Sequence, residues 1–198
     1  PEASWVTPLK VPSGRIYVFY TCNKDNIRSV IAGTEESRSR LDTLGAFMFK
    51  YSDDNGHTWS KERYEIPIRL FNIDYENPYK GQVMFFWSVA KPTIHDGAVY
   101  IMFSKVGRFG EGFIEKSEGA LLKSSNILTE KDPEKIKWET LPEGNDGLKA
   151  PFGPIAEEHN LTFLSDGSLY CTYRTIDGYN CHAYSRDGGH TWTLPEYA

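Results

Sequence analysis

Residues 51–59 read YSDDNGHTW, and residues 184–192 read YSRDGGHTW. Both stretches contain the octet Ser-x-Asp-x-Gly-x-Thr-Trp. Its chemistry is that of a folded turn, because an Asp carboxylate accepts backbone N–H groups, Gly takes a positive φ, and Ser and Thr hydroxyls close local hydrogen bonds. The final Trp is expected to bury its ring between neighbouring sheets. We therefore assign structural roles to the motif residues of the two copies, which are Ser52, Asp54, Gly56, Thr58, Trp59, Ser185, Asp187, Gly189, Thr191 and Trp192.

A second pattern occurs three times, as a glycine followed by an alternating strand rich in aromatic residues. The copies are GRIYVFY at 14–20, GAVYIMF at 97–103 and GSLYCTY at 167–173. A turn signal precedes each copy, and before each turn lies another extended run, at 5–11, 87–94 and 159–164. The spacing leaves room for about four short strands per copy, so the chain is predicted to repeat one antiparallel β unit three times.

The composition is that of a globular protein, with 39% hydrophobic and 14% aromatic residues among 198. The 22 Lys and Arg residues are outnumbered by 27 Asp and Glu, and no basic block occurs, so nucleic acid is not expected as a partner. The longest apolar runs are far shorter than the roughly 20 residues that a membrane span needs, so no membrane association is expected. The three cysteines form neither a disulfide framework nor a metal site by their spacing, although Cys171 and Cys181 flank a predicted hairpin and a bond between them is left open.

The octet resembles the Asp-box, or BNR repeat, of the sialidase-like superfamily. The middle unit carries a degenerate copy that starts at Ser124 and ends at Trp138. The resemblance covers the chain as three successive units and implies an all-β fold, a β-propeller of four-stranded antiparallel blades. We expect about three blades of a six- or seven-bladed ring, which are blade 1 at about 1–70, blade 2 at about 82–145 and blade 3 at about 155–198. A part of a ring leaves open blade edges, so the remaining blades are expected from the same polypeptide or from a second copy.

Blade topology then selects candidate functional residues. If the strands are called a to d from the central channel outward, the a–b and c–d turns lie on one face and the b–c loops lie on the other. The octet is the c–d turn, and the resemblance places the active site on the opposite face, near the channel mouth. Candidates therefore come from the start of strand a and the end of strand b.

These positions hold residue types that suit an acidic sugar, because a cation binds a carboxylate, an aromatic ring stacks on a sugar, and an acid or base moves a proton. The candidate catalytic residues are Glu157, Glu158, His159 and Tyr173. The candidate substrate-binding residues are Arg174, Lys91, Trp87, Asn160 and Lys105. Structural alternatives stay open, namely an ion pair for Arg174, a solvated loop for 157–160 and packing for Trp87 and Trp5. We expect Arg28, Arg38 and Arg40 to lie in a solvated loop.

The resemblance implies a sialidase-like glycoside hydrolase of the exo-sialidase type, acting on an acidic saccharide outside the cell or in the periplasm. Sialidases hold the sialic carboxylate with an arginine triad, whereas Arg174 is the one well-placed strand arginine of this sequence. A first alternative is a uronate-directed polysaccharide lyase or rhamnosyl-glucuronate-cleaving enzyme, in which His159 or Tyr173 abstracts the C5 proton. A second is a non-catalytic carbohydrate-binding propeller. No metal-ligand constellation or nucleotide-binding glycine loop is visible, so neither a metal nor an organic cofactor is expected.

Overall fold

The computed structural model describes residues 3–31, 39–110, 113–152 and 157–198. This part of the chain is all-β, with 44% of residues in strands and one short helix, α1 (Asn72–Glu76). The strands in chain order are β1 (Ala3–Lys10), β2 (Ile16–Cys22), β3 (Leu44–Ser52), β4 (Tyr64–Glu65), β5 (Met84–Trp87), β6 (Thr93–His95), β7 (Ala98–Gly110), β8 (Phe113–Ser124), β9 (Glu139–Leu141), β10 (Glu157–Phe163), β11 (Leu169–Arg174), β12 (Cys181–Ser185) and β13 (Glu196–Tyr197). No helix among the described residues has the length and apolar character needed to span a membrane.

The strand pairing divides into three antiparallel meanders. The first meander is β1 to β4, the second is β5 to β9, and the third is β10 to β13. A short pairing of Leu44 and Gly45 with Phe85 and Met84 joins the first two meanders into a nine-stranded sheet, while the third forms a sheet of four strands. The run predicted over 87–94 is not one strand, because β5 ends at Trp87 and β6 begins only at Thr93.

Strand β7 explains how the meanders pack together. Val99, Ile101 and Phe103 face the first meander and share a core with the aromatic rings of β2 and β3. Tyr100 and Met102 point to the opposite side, into a core shared with β11 and β12. A strand buried on both faces reads as a continuous apolar run, which is what its sequence shows.

The first octet folds into a closed turn. Ser52 Oγ donates to Asp54 Oδ1 at 2.7 Å and accepts the Gly56 amide at 2.8 Å. The Asp54 carboxylate accepts the amide and the hydroxyl of Thr58 at 2.8 and 2.6 Å. These bonds, the one from the Thr58 hydroxyl foremost, lower the pKa of Asp54 to about 2. Gly56 has a φ of 89°, the conformation for which the motif needs glycine.

The second octet has the same hydrogen bonds. Ser185 Oγ donates to Asp187 at 2.8 Å and accepts the Gly189 amide at 2.9 Å, and Asp187 accepts the Thr191 amide and hydroxyl at 2.9 and 2.5 Å. The ring of Trp192 packs on the core that the second and third meanders share, as the sequence predicts.

The other octet tryptophan, Trp59, is 39% exposed, so its predicted burial is wrong. Trp192 differs because the second meander lies beside it.

The two ends of the strands carry different turns and loops. Arg15, in the turn between β1 and β2, pairs with Asp53 of the first octet at 2.7 Å, so these two turns lie together on what we call the octet face. The starts of β1 and β10 and the ends of β2 and β11 lie at the opposite end, which we call the site face.

Cys171 and Cys181 are free and form no disulfide with each other. In the register of β11 and β12, Cys171 lies opposite Ala183 and Cys181 lies opposite Tyr173, so the two cysteines are two positions apart.

Candidate functional site

A β-bulge shapes the start of β10. Glu157 pairs with Arg174, and the next pair in register is Asn160 with Thr172, which leaves one extra residue on the β10 side. Glu158 lies in this bulge with a φ of 59°, a left-handed conformation that is unusual for a residue other than glycine. The start of β1 has the same type of register shift, and Trp5 also has a φ of 59°. The two strands therefore project Glu158 and Trp5 from equivalent positions on the site face.

Arg174 joins the two carboxylates of the bulge. Its Nη2 donates to Glu157 Oε1 and, at 3.2 Å, to Glu158 Oε1, while its Nε lies 2.9 Å from Glu158 Oε2. The side chains differ in exposure, at 8% for Glu157, 40% for Glu158 and 54% for Arg174. Burial raises the pKa of Glu157, against the lowering influence of Arg174 and Arg40. The ion pair that the sequence left as the alternative role of Arg174 is therefore present, and its partners are the candidate catalytic residues themselves.

Two tryptophans and an arginine lie at the same end of the molecule. The rings of Trp5 and Trp87 meet edge to face with centroids 5.3 Å apart. The Arg40 guanidinium lies 5.4 Å from the Trp87 ring and 5.9 Å from the Trp5 ring, and Asp42 holds it with bonds of 2.9 and 3.0 Å. The Arg40 side chain is only 22% exposed and packs on both rings, so it does not lie in a solvated loop, which corrects the prediction made for it.

Trp87 itself is only 7% exposed, which leaves little of its ring for a sugar. The packing role that the sequence left open for Trp87 therefore fits its position better than the substrate-binding role.

Two of the four candidate catalytic residues lie behind the bulge rather than on the surface. His159 is 1% exposed and Tyr173 is 2% exposed, and their rings are in contact with centroids 4.4 Å apart. Burial lowers the pKa of His159 to about 3 and raises that of Tyr173 far above its ordinary value. Both positions favour a structural role over contact with substrate.

Lys105 was predicted to bind substrate, and the structure sequesters it instead. Its side chain is fully buried, donates to Asp74 Oδ2 and to the Arg69 carbonyl at 3.0 Å, and lies 4.6 Å from the Phe71 ring. Asp74, on α1, is equally buried and also accepts the Phe71 amide at 2.8 Å. Burial lowers the pKa of Lys105, while Asp74 opposes this. A lysine held in such a pair cannot reach a substrate without breaking it.

The remaining candidates are exposed and keep their predicted roles as predictions. Lys91 lines a groove between β1 and β6 together with Lys10 and Pro8, toward the end of β1 that leads to the octet face. Asn160 lies on the exposed side of β10, just after the bulge. Arg28 is exposed on its loop, and Arg38 lies outside the described residues. Among the described residues, no group of three or more His, Cys, Asp or Glu side chains is arranged to hold a metal ion.

The sequence matches no protein-family model and no curated protein. The structure is similar to the intramolecular trans-sialidase from Ruminococcus gnavus in complex with oseltamivir carboxylate, at 14% identity and a TM-score of 0.57, over 99% of this chain and 54% of that one. An exo-1,5-α-L-arabinanase from a bovine ruminal metagenomic library gives 16% identity and a TM-score of 0.59, over 99% and 53%. A PL25 ulvan lyase gives 12% identity and a TM-score of 0.54, over 98% and 43%.

These similarities show a sialidase-like fold. The three proteins named here include a trans-sialidase, an arabinanase and a lyase, so the fold does not choose among hydrolase, lyase and binder. The chain spans about half the length of the structures it matches.

Proposed function

We propose that this chain supplies part of the active site of a glycoside hydrolase that acts on an acidic saccharide. The observation that carries the proposal is the pair Glu157 and Glu158, two adjacent carboxylates that share Arg174 but differ sharply in exposure. Pairs of acids whose surroundings separate their pKa values are what an acid and a base in one active site require. Here burial raises the pKa of Glu157, and Glu158 faces solvent.

Each residue then has a role in hydrolysis. Glu157 keeps a proton to higher pH and gives it to the glycosidic oxygen as the bond to the anomeric carbon breaks. Glu158 bonds to that carbon as the leaving group departs, because two carboxyl groups that share one arginine nitrogen are too close to hold the water of a single displacement between them. A water then displaces Glu158 from the carbon and gives its proton to Glu157, which restores both residues. Arg174 uses Nη2 and Nε for the two glutamates, and its bonds to the described part of the chain leave the N–H groups of Nη1 for a carboxylate of the substrate. Trp5 is only partly buried and lies beside Arg40, so its ring suits the apolar face of a sugar.

The lyase alternative has less support from the geometry. It needs His159 or Tyr173 to abstract a proton from the substrate, but burial lowers the pKa of His159 to about 3 and raises the pKa of Tyr173 far above its ordinary value, so neither side chain is an effective base near neutral pH. The binding alternative predicts no chemistry, and it gives no reason for a buried glutamate with a raised pKa at the mouth of the site.

The test compares substrates and variants. Release of the fluorophore from an α-sialoside and from glucuronide substrates is measured, and absorbance of an unsaturated uronate is followed with uronic polysaccharides. We expect hydrolysis, with kcat lowered about 100-fold or more in Glu157→Gln and Glu158→Gln. Arg174→Ala should lower kcat/KM by about 10- to 100-fold, because it removes charge-assisted hydrogen bonds to the substrate.

A matched control is Arg15→Ala, which removes an arginine from an ion pair on the octet face and should leave kcat unchanged. An unsaturated uronate product would refute the hydrolase and support the lyase alternative. Saccharide binding without any cleavage would support the non-catalytic binding propeller. Wild-type rates in both Glu157→Gln and Glu158→Gln would refute the roles assigned to the two glutamates.

A further inference from the structure

We propose that Ser104, on β7 of the second meander, is a positioning residue for the Glu157–Glu158 pair of the third meander. This inference rests on the proposed function, since it assigns a residue that orients the proposed catalytic groups. Ser104 does not face the substrate space itself, because it is 1% exposed.

The contacts of Ser104 cross the interface between two sheets. Its Oγ accepts the backbone amide of Glu158 at 3.1 Å. The same oxygen lies 3.0 Å from Nδ1 of His159, the next residue in the bulge. One hydroxyl of the second meander therefore holds two consecutive residues of the third, through a buried bond to His159 and a partly buried bond to Glu158.

The bond from Ser104 to Glu158 supports a strained part of the backbone. A left-handed conformation at a non-glycine residue costs about 1 to 3 kcal/mol and persists only where the surroundings impose it. Glu158 has this conformation at a φ of 59°, and the bulge removes it from the regular hydrogen-bond ladder between β10 and β11. Without the Ser104 hydroxyl the Glu158 amide loses a buried partner, so the bulge can relax and both carboxylates can move relative to Arg174.

The His159 ring gives Ser104 a rigid support. It packs against Tyr173 on one side, and on another it fills the space beside Gly119, where an added Cβ would come within 2.3 Å of His159 Cδ2. A neutral imidazole accepts a hydrogen bond at Nδ1 when its proton is on Nε2, which lets the Ser104 hydroxyl donate there while its lone pairs receive the Glu158 amide. The serine is thereby fixed in the one orientation that serves Glu158.

The kinetic test uses Ser104→Ala and Ser104→Thr with the substrate that the wild-type protein hydrolyses. We expect kcat to fall about 10- to 100-fold in Ser104→Ala, as for a displacement of catalytic groups by about 1 Å, with a smaller change in KM. Ser104→Thr keeps the hydroxyl and should restore most of kcat. Ser124→Ala is the matched control, since Ser124 is a buried serine whose hydroxyl also accepts one amide, that of Ile127, and it lies roughly 16 Å away along the same strands. It should keep the wild-type kcat.

A structural test does not depend on activity. Crystal structures of wild type and Ser104→Ala should differ at Glu158, which loses its left-handed φ, and in the bonds from Arg174 to Glu158. If Ser104→Ala does not fold, the same measurements are made on Ser104→Cys, which keeps a side chain of similar volume and weakens the hydrogen bonds. Unchanged bulge geometry, or a wild-type kcat in the folded variant, would overturn the proposal. If no saccharide is cleaved by the wild type, the proposed function fails, while the crystal structures still decide whether Ser104 holds the bulge.

Discussion

Mild acid should destabilise this protein through His159, and the size of the effect follows from its burial. Burial lowers the pKa of His159 to about 3, against an ordinary value of 6.5. As the pH falls below 6.5, the unfolded chain takes up a proton that the folded protein does not, so the folded state loses stability until the pH reaches about 3. The loss is about 1.4 kcal/mol per pH unit, or about 2.5 kcal/mol between pH 7.5 and pH 4.5.

Urea denaturation of wild type and His159→Gln at pH 7.5 and at pH 4.5 measures this contribution. The variant lacks the titrating group, so its free energy of unfolding should fall by about 2.5 kcal/mol less than that of wild type over this range. The baseline cost of losing the ring cancels in the comparison, because it is present at both pH values. An identical pH dependence in wild type and His159→Gln would refute the buried neutral histidine.

Three further changes test the packing that holds the site, each by urea denaturation. Gly119→Ala should destabilise the fold by about 1 to 3 kcal/mol, because its Cβ would overlap the His159 ring; wild-type stability would mean that the ring is not packed there. Lys105→Met should lower the free energy of unfolding by about 3 to 5 kcal/mol, because it leaves Asp74 buried without its cation. Adding Asp74→Asn to this variant should recover part of that loss, and additive losses from the two substitutions would contradict the ion pair. Ser185→Ala should cost about 1 to 3 kcal/mol, since it leaves a buried amide of the second octet without its acceptor, and a neutral effect would count against the closed turn.

Local chemistry explains what the sequence could predict. The octets form the expected turns because their hydrogen bonds join residues at most four positions apart, so each motif carries its own partners. Glu157 and Arg174 were placed in one site by topology alone, since the start of one strand and the end of the next must meet in an antiparallel pair. Their direct contact follows from register, which the turn between them fixes.

The errors concern residues whose partners come from distant parts of the chain. Lys105 comes just after the apolar run at 97–103, so the sequence predicts a site residue there. Its partner Asp74 lies 31 positions earlier, on a short helix that no sequence pattern predicted. Arg40 reads as part of a charged loop, whereas Trp5 and Trp87, from two different strands, meet around it. In both cases burial depends on tertiary packing, which strand periodicity does not specify. The spacing of Arg40 from Asp42 was the available signal that its guanidinium is held in place.

The location of the substrate site is the central claim, and a crystal structure with a bound acidic saccharide tests it most directly. The account predicts that the substrate carboxylate contacts Nη1 of Arg174 on the site face, with the glycosidic oxygen beside Glu157 and Glu158. A saccharide bound on the octet face, or one on the site face that leaves Arg174 and both glutamates untouched, would contradict it.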